Sequence, residues 1–214
     1  MTRVWAIMMA IGFVAAPHLA AANAGNPPAG APGVSGPSAP READRTPSHP
    51  HEIVRYGIAQ LQAHLNQHRD RDAQRIEAFL GTTIALFFDF ETMGRWAAGP
   101  FYRRLQPSER ERFHAKIRDL FLGALARNLG SYGGTLPAVR VLPPMVRRWG
   151  DEMVVRAQVA LPRTYPIAVD FRFYRRGNEW RIFDVAANGF SAVTYYRRHF
   201  ARLVRLKGTA ALAN

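Results

Sequence analysis

Apolar positions recur at two different periods along this chain, and the change from one to the other divides it. Ile53, Gly57, Leu61 and Leu65 are spaced by four in a polar segment, and after the charged stretch 69–72 a second stripe runs through Ile76, Phe79, Leu80 and Ile84. Both spacings fit one face of a helix, which predicts two antiparallel helices. The run Leu86-Phe87-Phe88-Asp89-Phe90 is too apolar for a surface helix, so it is expected to enter the core, with a short helix over 90–97. A longer helix opens at Pro107, where a missing N–H costs nothing, and Glu109 and Glu111 suit its positive end. Its expected inner side carries Phe113, Ile117, Leu120, Phe121, Ala124 and Leu125, and the glycine-rich stretch 130–134 ends it.

Beyond that point the period falls to two, which predicts strands over 138–142, 153–161, 167–174 and 180–185, separated by Pro143-Pro144, Trp149-Gly150-Asp151, the segment 162–166 and Arg176-Gly177-Asn178. Ile167, Val169, Phe171 and Phe173 alternate with Ala168, Asp170, Arg172 and Tyr174, so one face is apolar and the other polar. The same parity places Trp180, Ile182 and Asp184 on one face of the last strand. Asn188 and Gly189 then break the pattern, Ser191 is positioned to cap a helix, and Tyr196, Phe200, Leu203 and Val204 draw its apolar stripe. Its other positions hold Arg197, Arg198, His199, Arg202 and Arg205. The fold class that follows is α+β: a curved antiparallel meander covered on its apolar face by helices.

The first 24 residues change the compartment. Arg3, an apolar stretch from Val4 to Ala16 and Ala22-Asn23-Ala24 match a cleaved signal peptide, and the apolar stretch is shorter than the roughly 20 residues that span a bilayer. Seven of the fifteen prolines fall within 25–50, which reads as a linker or disordered arm and leaves a single domain over 51–212. The chain has no cysteine, so an exported domain must rely on its packed core. Cleavage leaves 28 Lys+Arg against 16 Asp+Glu, a net charge of +12, with Lys116 and Lys207 the only lysines. Such a field attracts anions, and for an exported chain the nearest are lipid headgroups and acidic protein surfaces rather than nucleic acid.

Candidate chemistry is sparse. There is no GxSxG elbow, P-loop or post-strand GxGxxG, and no thiol. His64 and His68 share a helical face without a third ligand at a clear spacing, so neither a metal nor a cofactor is expected. Asp89, Asp170 and Asp184 lie in the most apolar surroundings. Each is either a general base with a raised pKa, or is paired with one of the many arginines or caps a turn. The aromatic residues suit a core, and a sheet that curves away from its helices can leave a wedge among them.

Three segments carry a family resemblance: FYRRLQPSERERFHAKIRDLF at 101–121, the Gly150-Asp151 turn, and PIAVDFRFYRRGNEWRIFDVAANGFSAVTYYRRHFARLVRLKG at 166–208. Together they resemble the MlaC family, also called the toluene-tolerance or ABC-transporter auxiliary family, across most of 85–212. The chain departs from that pattern in its Pro-rich arm and at Ala186-Ala187-Asn188, where an acidic residue often precedes the glycine. The resemblance implies an NTF2-like sheet under helices with an apolar cavity between them. It further implies a periplasmic carrier that encloses phospholipid acyl chains and passes lipid between an outer-membrane lipoprotein and an inner-membrane MCE-domain ABC transporter, without chemistry on the lipid. Strand and helix parity then nominate Val155, Val159, Val169, Phe171, Phe173, Phe113, Ile117, Phe121, Tyr196 and Phe200 as cavity lining, with Arg197, Arg198 and Arg202 available to headgroups or partners. A monomer is expected. Hopanoid-associated relatives share the plan, so a hopanoid or other isoprenoid lipid is an alternative cargo. An NTF2-like isomerase or dehydratase with Asp170 or Asp184 as base is the alternative function.

Overall fold

A computed structural model describes residues 47–132, 135–147, 150–161 and 165–212. The expected signal peptide and the arm up to residue 46 lie outside the described residues, as do positions 133–134, 148–149 and 162–164 within expected turns.

The helical half begins with α1 (Pro50–Gln67), whose Pro50 occupies the first turn and which buries Ile53, Val54 and Leu65. Gly57 of the expected stripe faces Ile84, whose Cδ1 would lie at ordinary contact distance, 3.7 Å, from a β-carbon there. Asp72 caps α2 (Ala73–Phe79) by accepting a bond from the Arg75 amide at 2.9 Å. The second stripe does not continue as a regular helix. The chain widens into a π turn at Leu80–Ile84 and tightens into a 3₁₀ turn at Ala85–Phe87. A regular helix would spread Leu80, Ala85, Phe87 and Phe88 over about 160° of its circumference, whereas the altered winding buries all four. Phe88 bridges to Ile182, and the Asp89 amide donates to the Ile182 carbonyl at 2.9 Å, which ties this turn to the sheet.

The short helix α3 (Phe90–Ala98) follows, and α4 (Pro107–Gly130) is the longest element. Glu109 does more for α4 than favour its dipole: its carboxylate accepts the Gln106 amide at 2.7 Å and completes a capping box. The buried side of α4 contains Phe113, Ile117 and Phe121 as expected. It turns through Leu122, Ala126 and Leu129, leaving Leu120, Ala124 and Leu125 half-buried.

Six antiparallel strands follow, β1 (Val139–Val141), β2 (Met145–Arg147), β3 (Glu152–Val159), β4 (Ile167–Arg176), β5 (Glu179–Ala187) and β6 (Phe190–Ser191), ordered β1-β3-β4-β5-β6. Unexpected in the sequence, β2 lines the same edge of β3 as β1, opposite Glu152 to Val154, and all three of its residues are exposed. Pro143 and Pro144 cut what would be one edge strand in two, because proline cannot supply the ladder N–H.

The parity expected for β5 is corrected by a register shift at Arg172/Phe173: Ile182 pairs with Phe173 and Asp184 with Arg172. Adjacent β4 residues point to opposite faces, so Ile182 and Asp184 do not share one.

The corner after β5 turns through Asn188 at φ 48° and Gly189 at φ 84°. Ser191 then caps α5 (Ala192–Lys207), its hydroxyl accepting the Thr194 amide at 3.0 Å. Among the described residues the architecture is α+β, one sheet under five α-helices, with the main core between Val155, Phe173 and Ile182 below and the helices above.

Candidate functional site

Two separate apolar clusters occupy the space between sheet and helices. The main one contains seven of the ten residues nominated as cavity lining: Phe113, Ile117, Phe121, Val155, Phe173, Tyr196 and Phe200. They belong to one packed cluster. Phe113 meets Phe200 edge-on with centroids 4.9 Å apart, and Phe113, Ile117, Val155, Phe173 and Phe200 are each 0% exposed. Burial pushes the Tyr196 hydroxyl up to about 12, so it stays protonated.

The other cluster is smaller and comprises Ala157, Val159, Ile167 and Val169, with Ile58, Val139, Leu161, Phe171 and Val185 against it. It holds the nominated Val159 and Val169, while Phe171 packs against both clusters. Above it a groove of about 330 Å³ opens between α1 and β1, lined by His51, Arg55, Ile58, Ala59, Gln62, Val139 and Val141. The α1 members fall at helical spacing, so a single face supplies one wall. Ile58 and Val139 also pack on the small cluster, which places that cluster directly beneath the groove. Gln62 Nε2 donates to the Pro137 carbonyl at 3.4 Å and pins the wall to the start of β1.

The α1 residues of this groove were not nominated from sequence. The readable signal was Ile58, an apolar position three residues before Leu61 and seven before Leu65 that widens their stripe towards Arg55 and Gln62.

The three aspartates considered as bases are held by arginines. Arg156 forks onto Asp170 through two bonds of 2.6 and 2.8 Å, and Arg172 reaches Asp184 at 3.2 Å. Asp184 also accepts the Val193 amide at 3.1 Å, at the start of α5. Burial dominates there and pushes the Asp184 carboxyl above its ordinary range, against bonds from Ser191 and Val193. Burial raises Asp89 too, but bonds from the Tyr174 hydroxyl and from Thr92, with the charge of Arg176, outweigh it and leave Asp89 below the usual carboxylate value. Neither Asp170 nor Asp184 belongs to the lining of the groove.

His64 is stacked between His68, at 4.4 Å, and Phe79, at 4.1 Å, and burial lowers its pKa. No group of three or more His, Asp or Glu side chains is arranged for a metal among the described residues. The cationic positions on α5 divide. Arg197 lies over Gly99, where a β-carbon would come within 3.1 Å of its Nε, whereas Arg198 and Arg202 project from the exposed side. No helix among the described residues is long and apolar enough to cross a membrane.

Comparison with known proteins agrees with this geometry at the level of fold and family. The family model for the MlaC protein matches residues 57–214. A solved structure of a phospholipid-binding protein from Ralstonia solanacearum, in complex with a phospholipid, is similar at a TM-score of 0.67 and 20% identity, over 76% of this chain and 92% of that one.

Proposed function

The chain belongs to the MlaC family, and from that membership we propose that it is a carrier of phospholipid, with the groove between α1 and β1 as the mouth of its acyl-chain site. The observation that supports this reading is the second apolar cluster, joined to the main core through half-buried Ile58, Phe171 and Val185 and lying under an open groove with His51 and Arg55 in its wall. Each methylene of a lipid tail costs about 0.8 kcal/mol in water, so a carrier must cover the tail, whereas the headgroup can stay solvated beside a cation. The Ralstonia solanacearum protein of the same fold is phospholipid-bound, which favours the same cargo class here.

At about 330 Å³ the groove lies at the low end of the ~300–1,000 Å³ usual for small-molecule sites. Taking up whole acyl chains therefore requires α1 to part from the sheet. Val159, Val169 and Phe171 are then the first nominated residues to meet cargo, and the residues of the main core join only on deeper opening. In this reading the chain is exported, loses residues 1–24, and works as a monomeric periplasmic shuttle. It passes lipid between an outer-membrane lipoprotein and an inner-membrane MCE-type ABC transporter, and it catalyses nothing.

Native mass spectrometry of the protein purified from a membrane-containing host tests the carrier role. A bound mass that dissociates as phospholipid is the expected result. A hopanoid mass moves the assignment to that cargo, and a chain without lipid that also fails to take it up from vesicles removes the proposal.

A further inference from the structure

The arginines of this chain are used in two ways. Each arginine of β3, β4 and β5 has an acidic partner: Arg156 with Asp170, Arg172 with Asp184, Arg175 with Asp151, Arg176 with Asp89 and Arg181 with Glu179. On α5 the opposite holds. The helix contains no Asp or Glu, and among the described residues none of Arg198, Arg202 and Arg205 forms an ion pair, although all three are exposed.

Their spacing of four and three aligns them in one stripe directed away from the buried Tyr196, Phe200 and Val204. Leu206 is 72% exposed and stands one turn beyond Arg202 on the same side, and Phe190, just before the helix, is 62% exposed. The apolar side of α5 is fixed in the core, so the helix presents only this basic side, with an apolar residue near each end.

We propose that the Arg198/Arg202/Arg205 stripe of α5 is a docking surface for the face of a bilayer that contains anionic phospholipid. The chemistry favours a membrane over an acidic protein. Positive charge alone would complement either an acidic protein patch or an anionic lipid surface, and the exposed Leu206 and Phe190 flanking it favour the lipid, whose headgroup layer takes up apolar side chains. Guanidinium groups fork onto phosphate oxygens, and exposed Leu206 and Phe190 are tolerated at a headgroup layer. Such docking lies outside the groove and does not depend on what the groove holds.

The test is co-sedimentation of the full mature chain with vesicles of phosphatidylcholine alone or mixed with phosphatidylglycerol, at low and high salt. The comparison is with a variant carrying Arg198→Gln, Arg202→Gln and Arg205→Gln, and with a control carrying Arg103→Gln, Arg104→Gln and Arg112→Gln, equally exposed arginines elsewhere. Each cation near an anionic surface strengthens binding by about fivefold, so the α5 variant is expected to bind mixed vesicles roughly 100-fold more weakly, with the control near the native chain. Native binding should vanish on neutral vesicles and fall with salt. Equal loss in the control, undiminished binding by the α5 variant, or equal binding to neutral vesicles overturns the proposal. Absence of native binding to mixed vesicles also overturns it and leaves an acidic protein as the partner of the stripe. Circular dichroism confirms that the variants are folded, and their lipid content, measured separately, reports on the carrier role independently.

Discussion

The main core and the small cluster under α1 rest on the same two central strands, yet they are built from different side chains. Above Val155 and Phe173 the gap between sheet and helices is filled by Phe113, Phe121, Tyr196 and Phe200. Further along the same strands Ala157, Val159, Ile167 and Val169 are covered by half-buried Ile58, Val139, Leu161, Phe171 and Val185, and no buried aromatic stands among them. Rings set the spacing between layers at one end, and short aliphatic chains cannot fill that spacing at the other. The groove is the remainder, and the difference separates a part of the molecule devoted to stability from a part with room for a ligand.

The largest effect should come from breaking the filled end. Phe200→Ala removes a ring with 0% exposure and should cost about 3–5 kcal/mol by urea unfolding. Val159→Ala, in the thinner cluster, should cost less, about 1–2 kcal/mol, because it deletes two methyl groups rather than a ring. An equal loss at both positions would erase the distinction drawn between the clusters.

Ala59→Trp sharpens it from the other side. Ala59 is exposed in the groove wall, so stability should stay within about 0.5 kcal/mol while co-purifying lipid, read by mass spectrometry, falls severalfold. Retention of lipid in that variant would move the mouth of the site elsewhere.

The smallest effects are electrostatic and should appear as opposite pH trends. Asp184 has a raised folded pKa, so its burial cost is present above that value and relieved as pH falls through it towards the unfolded value. The native chain should therefore gain on Asp184→Asn upon acidification. Asp89 has a lowered folded pKa, so its contribution is present above the unfolded value and lost as pH falls through the folded one. The native chain should lose ground to Asp89→Asn at low pH. Thermal melts across the acid range measure both, and parallel trends would contradict the assigned environments.

Much of this architecture was legible before any coordinates. Pro107, Ser191 and the Asn188-Gly189 corner each act through bonds within a few residues, so their roles follow from local chemistry, and the helix and strand periods follow likewise. The break of the second helix into π and 3₁₀ turns was not legible, because it answers to where Phe88 must meet β5 and Phe87 must meet Tyr56 of α1 rather than to local propensity. The parity of β5 failed for a related reason, since a register shift depends on the neighbouring strand. For the lining, alternation identified buried, inward-facing residues such as Phe173 and Val169 but does not say which of them meet cargo.

By itself the sequence determined the elements, their caps, the α+β class and the family, all of which depend on short-range bonding and on motifs read in order along the chain. Only the tertiary structure decided that the three aspartates are held by arginines, that Arg198 and Arg202 project while Arg197 folds over Gly99, and that the open space lies under α1. Those outcomes depend on the sizes and charges of side chains brought together from distant positions, and packing is settled only when the layers meet.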